Sequence, residues 1–261
     1  MTGSLADLPL KTSYAKGRDA IDADFYLPAM RAATQYDRAV GYFRSTAFLI
    51  AWPALRDFVT RGGRMRVLCS QVLSAEDIKA LDEGYTARVD DRIAARLASE
   101  VESLLADPAM GAPARVLAAL VAEGVLDLEI ALLRPAADGG ATRIFHDKVG
   151  IFGDGDGNAV MFRGSMNETW AGLAADGNLE SIDVAANFLG ERDRERVEDA
   201  QAYFESLWEN RYPGLDVRPF PDTAREALET AADPDWRASV ERLLAAPPAD
   251  GEKRSLKPHQ S

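Results

Sequence analysis

Residues 143–152, RIFHDKVGIF, decide the fold, because their side chains alternate between two faces as they do along a half-buried β-strand. Alternation puts His146 and Lys148 on one face, and Asp147 and Val149 on the other. The second half of the chain is predicted to contain four strands in all. The other three lie at residues 126–133, 159–164 and 179–186.

The first half of the chain predicts a β-α-β unit followed by further helices. Residues 38–43, RAVGYF, and 64–70, RMRVLCS, are strand-like, and the stretch between them has apolar residues at helical spacing. Residues 75–123 are predicted to be a helical insertion that covers part of the sheet, and residues 191–210 a further helix. The inward face of that last helix is expected to consist of Val197, Ala200, Phe204 and Leu207.

Composition favours one main α/β domain. The chain has 261 residues, 47% of them hydrophobic, which is enough to bury one sizeable core. Residues 1–209 are expected to form that domain, and residues 210–261, which are rich in proline and acidic side chains, a linker or docking tail.

Cysteine usage and hydropathy give an expectation about location. The single cysteine, Cys69, cannot form an internal disulfide, which fits a reducing compartment. No stretch approaches the roughly 20 apolar residues of a membrane span, and the first residues lack the pattern of a signal peptide. We therefore expect a soluble, cytoplasmic protein with no membrane contact.

His146 and Lys148 are the first candidates for chemistry. Two residues along a strand span roughly 7 Å. At that distance an imidazole can attack a phosphorus while an ammonium neutralises the oxygens of the same phosphate. Taken alone, an H-x-K tripeptide is more often a structural histidine beside a solvated lysine, so the pair needs support from other residues.

Two other segments offer that support. Residues 164–167, Gly-Ser-Met-Asn, end a strand with a glycine that allows close backbone approach, and Ser165 and Asn167 offer donors to a phosphate. Glu180, in the segment Asn-Leu-Glu at 178–180, supplies a carboxylate that could hold an imidazole N–H. Each segment taken alone is also compatible with an ordinary strand end.

The three segments in this order, H-x-K, G-S-x-N and N-x-E, resemble the signature of the phospholipase D superfamily. The resemblance extends over residues 20–210, because GYFRSTAF at 41–48 is similar to the first strand of the family. GSMNETW together with NLESIDV is similar to its helicase-associated nuclease branch. The resemblance implies a mixed sheet flanked by helices, one motif per chain, a covalent phosphohistidine, and neither metal nor cofactor.

Carried over by position, the resemblance also implies a role for each motif residue. His146 would be the nucleophile. Lys148 and Asn167 would bind the phosphate, and Ser165 would support them by hydrogen bonding. Glu180 would be the partner of the imidazole.

The aspartate of the family signature is displaced in this chain. After four residues beyond the lysine the family has Asp, whereas this chain has Gly153, with Asp154 one step later, so the role of Asp154 stays open. The run GDGDGN at 153–158 also imitates the start of a calcium loop, but Ala159 and Ser165 stand where such a loop needs Gly and Glu. A hairpin turn without a metal is predicted there.

The number of histidines bears on assembly. The chain has two histidines, His146 and His259, and the second lies in the predicted tail. The phospholipase D reaction uses two histidines, one to attack and one to protonate the leaving oxygen. A single motif per chain therefore implies a homodimer in which both copies of His146 face one phosphodiester. Too few soft ligands are present for a structural zinc site.

The choice of diester depends on context, because the motif does not separate nucleases from phospholipases. A net charge of -12 argues against wrapping a long duplex unaided, so any cluster of cations must be local. Arg143, Lys148 and Arg163 are its candidate members. The acidic charge and the absence of a basic amphipathic helix or lipid anchor favour DNA over lipid.

The last residues, KRSLKPHQS at 253–261, resemble the segment that precedes the motor of superfamily 2 helicases, although no Walker A sequence is present. We therefore expect the nuclease module of a restriction or phage-defence helicase. Two other functions stay open: a catalytically silent phospholipase D-like domain used for dimerisation or DNA docking, and a hydrolase of lipids or other small diesters. The intact His146, Lys148 and Asn167 favour an enzyme over the silent domain.

Overall fold

The structure, a computed structural model, describes residues 3–70, 73–87, 113–134 and 144–220. In these ranges the strands and α-helices are, in chain order, β1 Ser13–Ala15, α1 Leu27–Ala32, β2 Gln35–Val40, α2 Phe48–Thr60, β3 Arg64–Ser70, α3 Ala75–Ala87, α4 Pro113–Ala122, β4 Leu126–Leu133, β5 Lys148–Gly153, β6 Ala159–Gly164, α5 Trp170–Leu173, β7 Ser181–Ala186, α6 Glu191–Trp208 and β8 Leu215–Pro219. No helix in the described ranges is long and apolar enough to cross a membrane.

The eight strands form one mixed sheet in the order β1-β7-β6-β5-β2-β3-β4-β8. Strands β2, β3 and β4 are parallel, as the predicted β-α-β opening requires. All other neighbouring pairs are antiparallel. The predicted α/β fold, with a mixed sheet flanked by helices, is therefore confirmed.

Each face of the sheet buries its own apolar cluster. On one face, Phe152 and Phe162 belong to the same core as residues of α1, α2 and α4. On the other face, Val149 and Met161 pack in a second core with α6. The side chains that α6 buries are the four predicted from its spacing, namely Val197, Ala200, Phe204 and Leu207.

Three strands are shorter or shifted relative to the prediction, of which β7 differs least, since it covers 181–186 instead of 179–186. Strand β2 covers 35–40 instead of 38–43, and β5 begins at Lys148, so His146 lies just before the strand. Both limits are set by strand pairing. Val40, the last residue of β2, pairs with Lys148, the first residue of β5, and the residues after Val40 leave the sheet. His146 therefore sits where the sheet ends, and its backbone is free of ladder hydrogen bonds to β2.

The predicted boundary at residue 209 falls short of the last strand of the sheet. Strand β8 pairs antiparallel with β4, and Leu215 and Val217 are buried there. A strand of five residues that ends in proline gave no clear alternation, yet it covers the otherwise open edge of β4. Residues 221–261, including the KRSLKPHQS run and His259, lie outside the described residues, as do Arg143 and the middle of the helical insertion.

Candidate active site

The strand order brings the three motifs to one edge of the sheet. Because β5 runs antiparallel to β2 and β6, and β7 antiparallel to β6, the ends of β2 and β6 lie beside the starts of β5 and β7. These ends carry Gly41, Lys148, Ser165 and Glu180. Segments separated by more than a hundred residues therefore contribute to one site.

His146 and Lys148 are in direct contact. The Lys148 Nζ lies 3.1 Å from Nε2 and 3.2 Å from Nδ1 of His146, and donates to the His146 carbonyl oxygen at 3.3 Å. The imidazole is exposed, whereas Lys148 is only 8% exposed. The site therefore presents an accessible ring above a largely desolvated ammonium, where electrostatic interactions are stronger than in water.

The surroundings of Lys148 disfavour its charge. Burial lowers the pKa of Lys148 below its ordinary value, and the positive charge of Arg38 acts in the same direction. The carboxylates of Asp147 and Glu180 partly oppose this effect. A phosphate bound at this edge would supply the counter-charge that the ammonium needs.

The position of His146 depends on Gly41 and Tyr42, which follow β2. A Cβ atom on Gly41 would lie 2.7 Å from the His146 Cδ2, so no larger residue fits without displacing the ring. The Tyr42 ring meets the imidazole edge-to-face, with the centroids 5.8 Å apart. The Ser70 hydroxyl donates to the Gly41 carbonyl at 2.5 Å and fixes this turn.

Ser165 and Glu180 are brought together, but not in the predicted manner. The Ser165 hydroxyl donates to the Glu180 carboxylate and accepts from the Ser181 N–H at 3.1 Å. Among the described residues Glu180 makes no hydrogen bond to His146, so its carboxylate holds the serine instead of the imidazole. Gly164 permits this approach, because a Cβ there would lie 2.0 Å from the Ser181 carbonyl oxygen.

Asn167 is oriented by the backbone that follows β2. Its Oδ1 accepts a hydrogen bond from the Tyr42 N–H at 3.2 Å. The side-chain NH₂ group has no partner among the described residues and is available as a donor to a phosphate oxygen. The turn after β2 therefore contacts both His146 and Asn167.

A buried cluster that the sequence analysis missed lies beneath Asn167. The Arg38 Nε donates to the Glu168 carboxylate at 2.9 Å, and Tyr26 and Tyr36 donate their hydroxyls to the same carboxylate. Burial, together with the charge of Glu168, raises the pKa of both tyrosines well above the ordinary value. The only sequence signals were an arginine within an apolar strand and a glutamate directly after the G-S-x-N motif.

Lys16 is a second residue that the sequence analysis did not consider. It is buried, and its Nζ donates to the carbonyl oxygens of Ala171 and Ala174 at 3.3 and 2.7 Å. Its own N–H donates to the Glu180 carbonyl oxygen at 2.9 Å. Burial lowers the pKa of Lys16. Lys16 thus ties the end of α5 to the segment that carries Glu180.

The expected cluster of Arg163 with Lys148 is wrong. Arg163 is the direct cross-strand partner of Val149, which faces α6, whereas Lys148 faces the opposite side of the sheet. The guanidinium of Arg163 instead lies over the Tyr203 ring, 5.5 Å from its centroid. Arg143, the other candidate cation, is outside the described residues.

Asp154 lies at the far end of β5, in the hairpin turn predicted for residues 153–158. Its carboxylate accepts from Ser4 and Leu5 at 2.8 and 3.0 Å and from the Asn158 N–H at 2.9 Å. About six residues of strand, or roughly 20 Å, separate it from Lys148. Asp154 therefore organises the turn and anchors the N-terminal segment, and does not reach the site.

The described ranges contain no group of three or more His, Cys, Asp or Glu side chains that could hold a metal ion.

Comparison with known proteins gives similarity in structure but not in sequence. No family model and no curated protein matches the chain. The solved structures that match part of the chain include two with low similarity scores. One is NucT from Helicobacter pylori, with a TM-score of 0.47 and 16% identity, over 76% of this chain and 94% of that one.

The other is Nuc from Salmonella typhimurium, described as a phospholipase D family member, with a TM-score of 0.36 and 16% identity, over 74% of this chain and 88% of that one. Because both similarities are low, the function proposed below depends on the side chains of the site itself.

Proposed function

We propose that this chain is a phosphodiesterase of the phospholipase D type that cleaves DNA without a metal, with His146 as the nucleophile. The observation that carries this proposal is the contact of 3.1 Å between the Lys148 Nζ and the exposed imidazole of His146. If the two residues were only a structural histidine and a solvated lysine, the ammonium would lie in water. Instead, Lys148 is buried beneath the ring.

In the first step, a ring nitrogen of His146 attacks the phosphorus, a P–N bond forms and the bond to the leaving oxygen breaks. Lys148 and the NH₂ group of Asn167 bind the non-bridging oxygens and stabilise the charge that develops on them. The leaving oxygen takes a proton from the imidazolium of the partner's His146. In the second step, that imidazole takes a proton from water, the hydroxide attacks the phosphorus and the P–N bond breaks.

The need for a second imidazole supports a homodimer. His146 is the one histidine among the described residues, so the described part of a single copy does not supply both an attacking and a protonating imidazole. Two apolar side chains flank the site and are exposed: Trp170 at 39% and Leu179 at 84%. A second copy related by a two-fold axis near His146 would cover them.

Ser165 and Glu180 have a supporting role in this proposal. The carboxylate of Glu180 accepts from the Ser165 hydroxyl and favours the charged form of Lys148. It thereby balances the ammonium until a phosphate binds. On dimerisation Glu180 could also meet an imidazole, the role that the family resemblance implies.

The proposed substrate is DNA, and the proposed context is a restriction or phage-defence helicase in the cytoplasm. With a net charge of -12 the module has little affinity for a long duplex by itself, and a helicase motor would supply most of it. Lipid is disfavoured because the described helices include none that is basic and amphipathic.

Plasmid cleavage in excess EDTA tests the proposal, with wild type compared to His146→Gln and with the size of both measured in solution. We expect wild type to cut the DNA as a dimer and His146→Gln to be a dimer that does not. Leu179→Asp should give monomers that bind substrate but do not cleave it. A control, Leu189→Asp, changes another exposed leucine, 53% exposed, at the opposite end of β7 from Leu179.

Three outcomes would reject parts of the proposal. Cleavage that requires Mg²⁺ or persists in His146→Gln rejects the phosphohistidine mechanism. A fully active monomer rejects the shared site. Hydrolysis of phosphatidylcholine or bis-p-nitrophenyl phosphate, with DNA left intact, selects a lipid or small-diester substrate.

A further inference from the structure

The segment that carries Asn167 is held by a buried ion pair. Arg38, in the middle of β2, is completely buried, and Glu168 is 3% exposed. The Arg38 Nε is 2.9 Å from the Glu168 Oε2, and the Arg38 Nη2 donates to the Met166 carbonyl oxygen. Arg38 therefore binds the chain on both sides of Asn167, at the Met166 carbonyl oxygen before it and at the Glu168 carboxylate after it.

Further contacts fix Glu168 in place. Tyr36 donates its hydroxyl to Oε2 at 3.0 Å, and Tyr26 donates to Oε1. The Glu168 carbonyl oxygen accepts from the Arg44 N–H at 2.9 Å. The guanidinium of Arg38 also lies 4.9 Å from the centroid of the Phe162 ring. Three side chains, those of Arg38 and Tyr36 from β2 and of Tyr26 from the helical turn before α1, thus converge on one carboxylate.

Stability alone does not account for this arrangement. A buried ion pair loses its hydration, and apolar residues of similar volume are often as stable in its place. The pair is also not fully satisfied, because the Arg38 Nη1 has no hydrogen-bond partner among the described residues. What the pair does provide is a fixed position for residues 166–168 relative to β2.

That position decides where Asn167 points. The Asn167 Oδ1 meets the Tyr42 N–H, and Tyr42 follows β2, the strand that contains Arg38. Arg38 and Tyr42 therefore hold the two sides of the same loop against one strand. A shift of that loop would move the free NH₂ group of Asn167 away from a phosphate held by His146 and Lys148.

We propose that the Arg38–Glu168 pair is a positioning device that orients Asn167 toward the substrate phosphate. This inference rests on the proposed function, in which Asn167 binds that phosphate. Neither Arg38 nor Glu168 touches the substrate; both act through Asn167. The charge of Glu168 has a second effect, because it compensates an arginine whose positive charge disfavours protonation of Lys148.

Hydrogen exchange tests the positioning without any activity assay. Glu168→Gln keeps the shape of the side chain but removes its charge. We expect the Tyr42 N–H to exchange at least tenfold faster in this variant, because its bond to Asn167 opens, while the Val184 N–H in β7 keeps its wild-type rate. Tyr36→Phe, which removes one hydrogen bond and no charge, should give a smaller change in the same direction and decides the matter if Glu168→Gln fails to fold.

A double-mutant cycle on cleavage tests whether Glu168 acts through Asn167. We expect Glu168→Gln to lower kcat at least tenfold in the wild-type background and less than twofold in the Asn167→Ala background. Multiplicative losses, or an unchanged exchange rate at Tyr42, would overturn the proposal. If wild type cleaves no DNA, the proposed function fails, and the exchange rate at Tyr42 alone then decides whether the pair positions Asn167.

Discussion

The Cα atom of Gly41 faces the imidazole of His146 so closely that a methyl group on it would lie 2.7 Å from the ring carbon Cδ2. Real Cβ atoms do not approach other atoms this closely, so the glycine is a steric condition for the position of the ring. The turn after β2 thereby shapes the site although it contributes no reacting group.

Gly41→Ala is therefore expected to displace His146 and to lower kcat by about 10²-fold, since small misplacements of reacting groups are costly. Melting temperature and dimer size should change little, because the ring is exposed and can move. The matched control is Gly155→Ala, at a glycine with open space around its Cα. Wild-type activity in Gly41→Ala would show that His146 need not occupy the observed position.

Lys148 and Arg163 lie on neighbouring strands but project from opposite faces of the sheet. Lys148→Ala should lower kcat by about 10²- to 10³-fold, because it removes a preorganised charge from the phosphate. Arg163→Ala should change kcat by less than threefold, since Arg163 faces α6 and stacks on Tyr203. Steady-state cleavage of one oligonucleotide measures both variants, and equal losses would contradict the assignment of the two faces.

The alkaline limb of the pH–rate profile should report the protonation of Lys148. Burial and the charge of Arg38 lower its pKa, so activity should fall as pH rises through a value below the ordinary lysine pKa of about 10.4. Lys148→Arg stays protonated at those pH values and should lack this limb, whatever its absolute rate. The same limb in both proteins would assign the titration to another group.

Asp154 should matter for stability and not for catalysis. Asp154→Ala removes its bonds to Ser4 and Leu5 and should lower the free energy of unfolding by about 1–3 kcal/mol, with normal kcat below the melting temperature. Asp156→Ala, at an exposed carboxylate of the same turn, is the control. A folded Asp154→Ala protein without activity would give Asp154 a catalytic role.

The same variant should show a defined pH dependence of stability. Burial alone would raise the pKa of Asp154, but hydrogen bonds from Asn158, Leu5 and Ser4 outweigh it and hold the pKa below the ordinary value. The stabilisation is therefore complete above about pH 4 and is lost as pH falls through the lowered pKa of the folded state. Urea unfolding of wild type and Asp154→Ala should converge on acidification, and a constant difference would contradict this assignment.

Three strands were predicted with their correct limits. Strands β3, β4 and β6 and the start of α6 agree with the sequence patterns, because apolar runs and helical stripes report burial directly. Strand β2 was placed three residues too late, since GYF at 41–43 is as apolar as a strand. In the structure it leaves the sheet, and Phe43 bridges to Glu168 instead. No local pattern reveals such a distant contact.

The candidate site residues were chosen from sequence motifs, and their roles stay predictions. His146, Lys148, Ser165, Asn167 and Glu180 were identified from residue types and spacing, and the strand order brings them to one edge. The residues that hold them were missed, because a charged residue in a strand looks solvent-exposed until its partner is known. Arg38 and Glu168 lie far apart in the chain, and only the pairing of β5 with both β2 and β6 brings them together.

Formation of a bond between His146 and the phosphorus of the substrate is open to direct measurement. Wild type is mixed with a radiolabelled oligonucleotide in EDTA and denatured within milliseconds at alkaline pH, and the labelled peptide is then isolated. We expect the label on the peptide that contains His146, stable in alkali and released by acid as a phosphoramidate is, with none in His146→Gln. Label on another residue, or rapid cleavage with no labelled protein at any time, would contradict a phosphohistidine at this site.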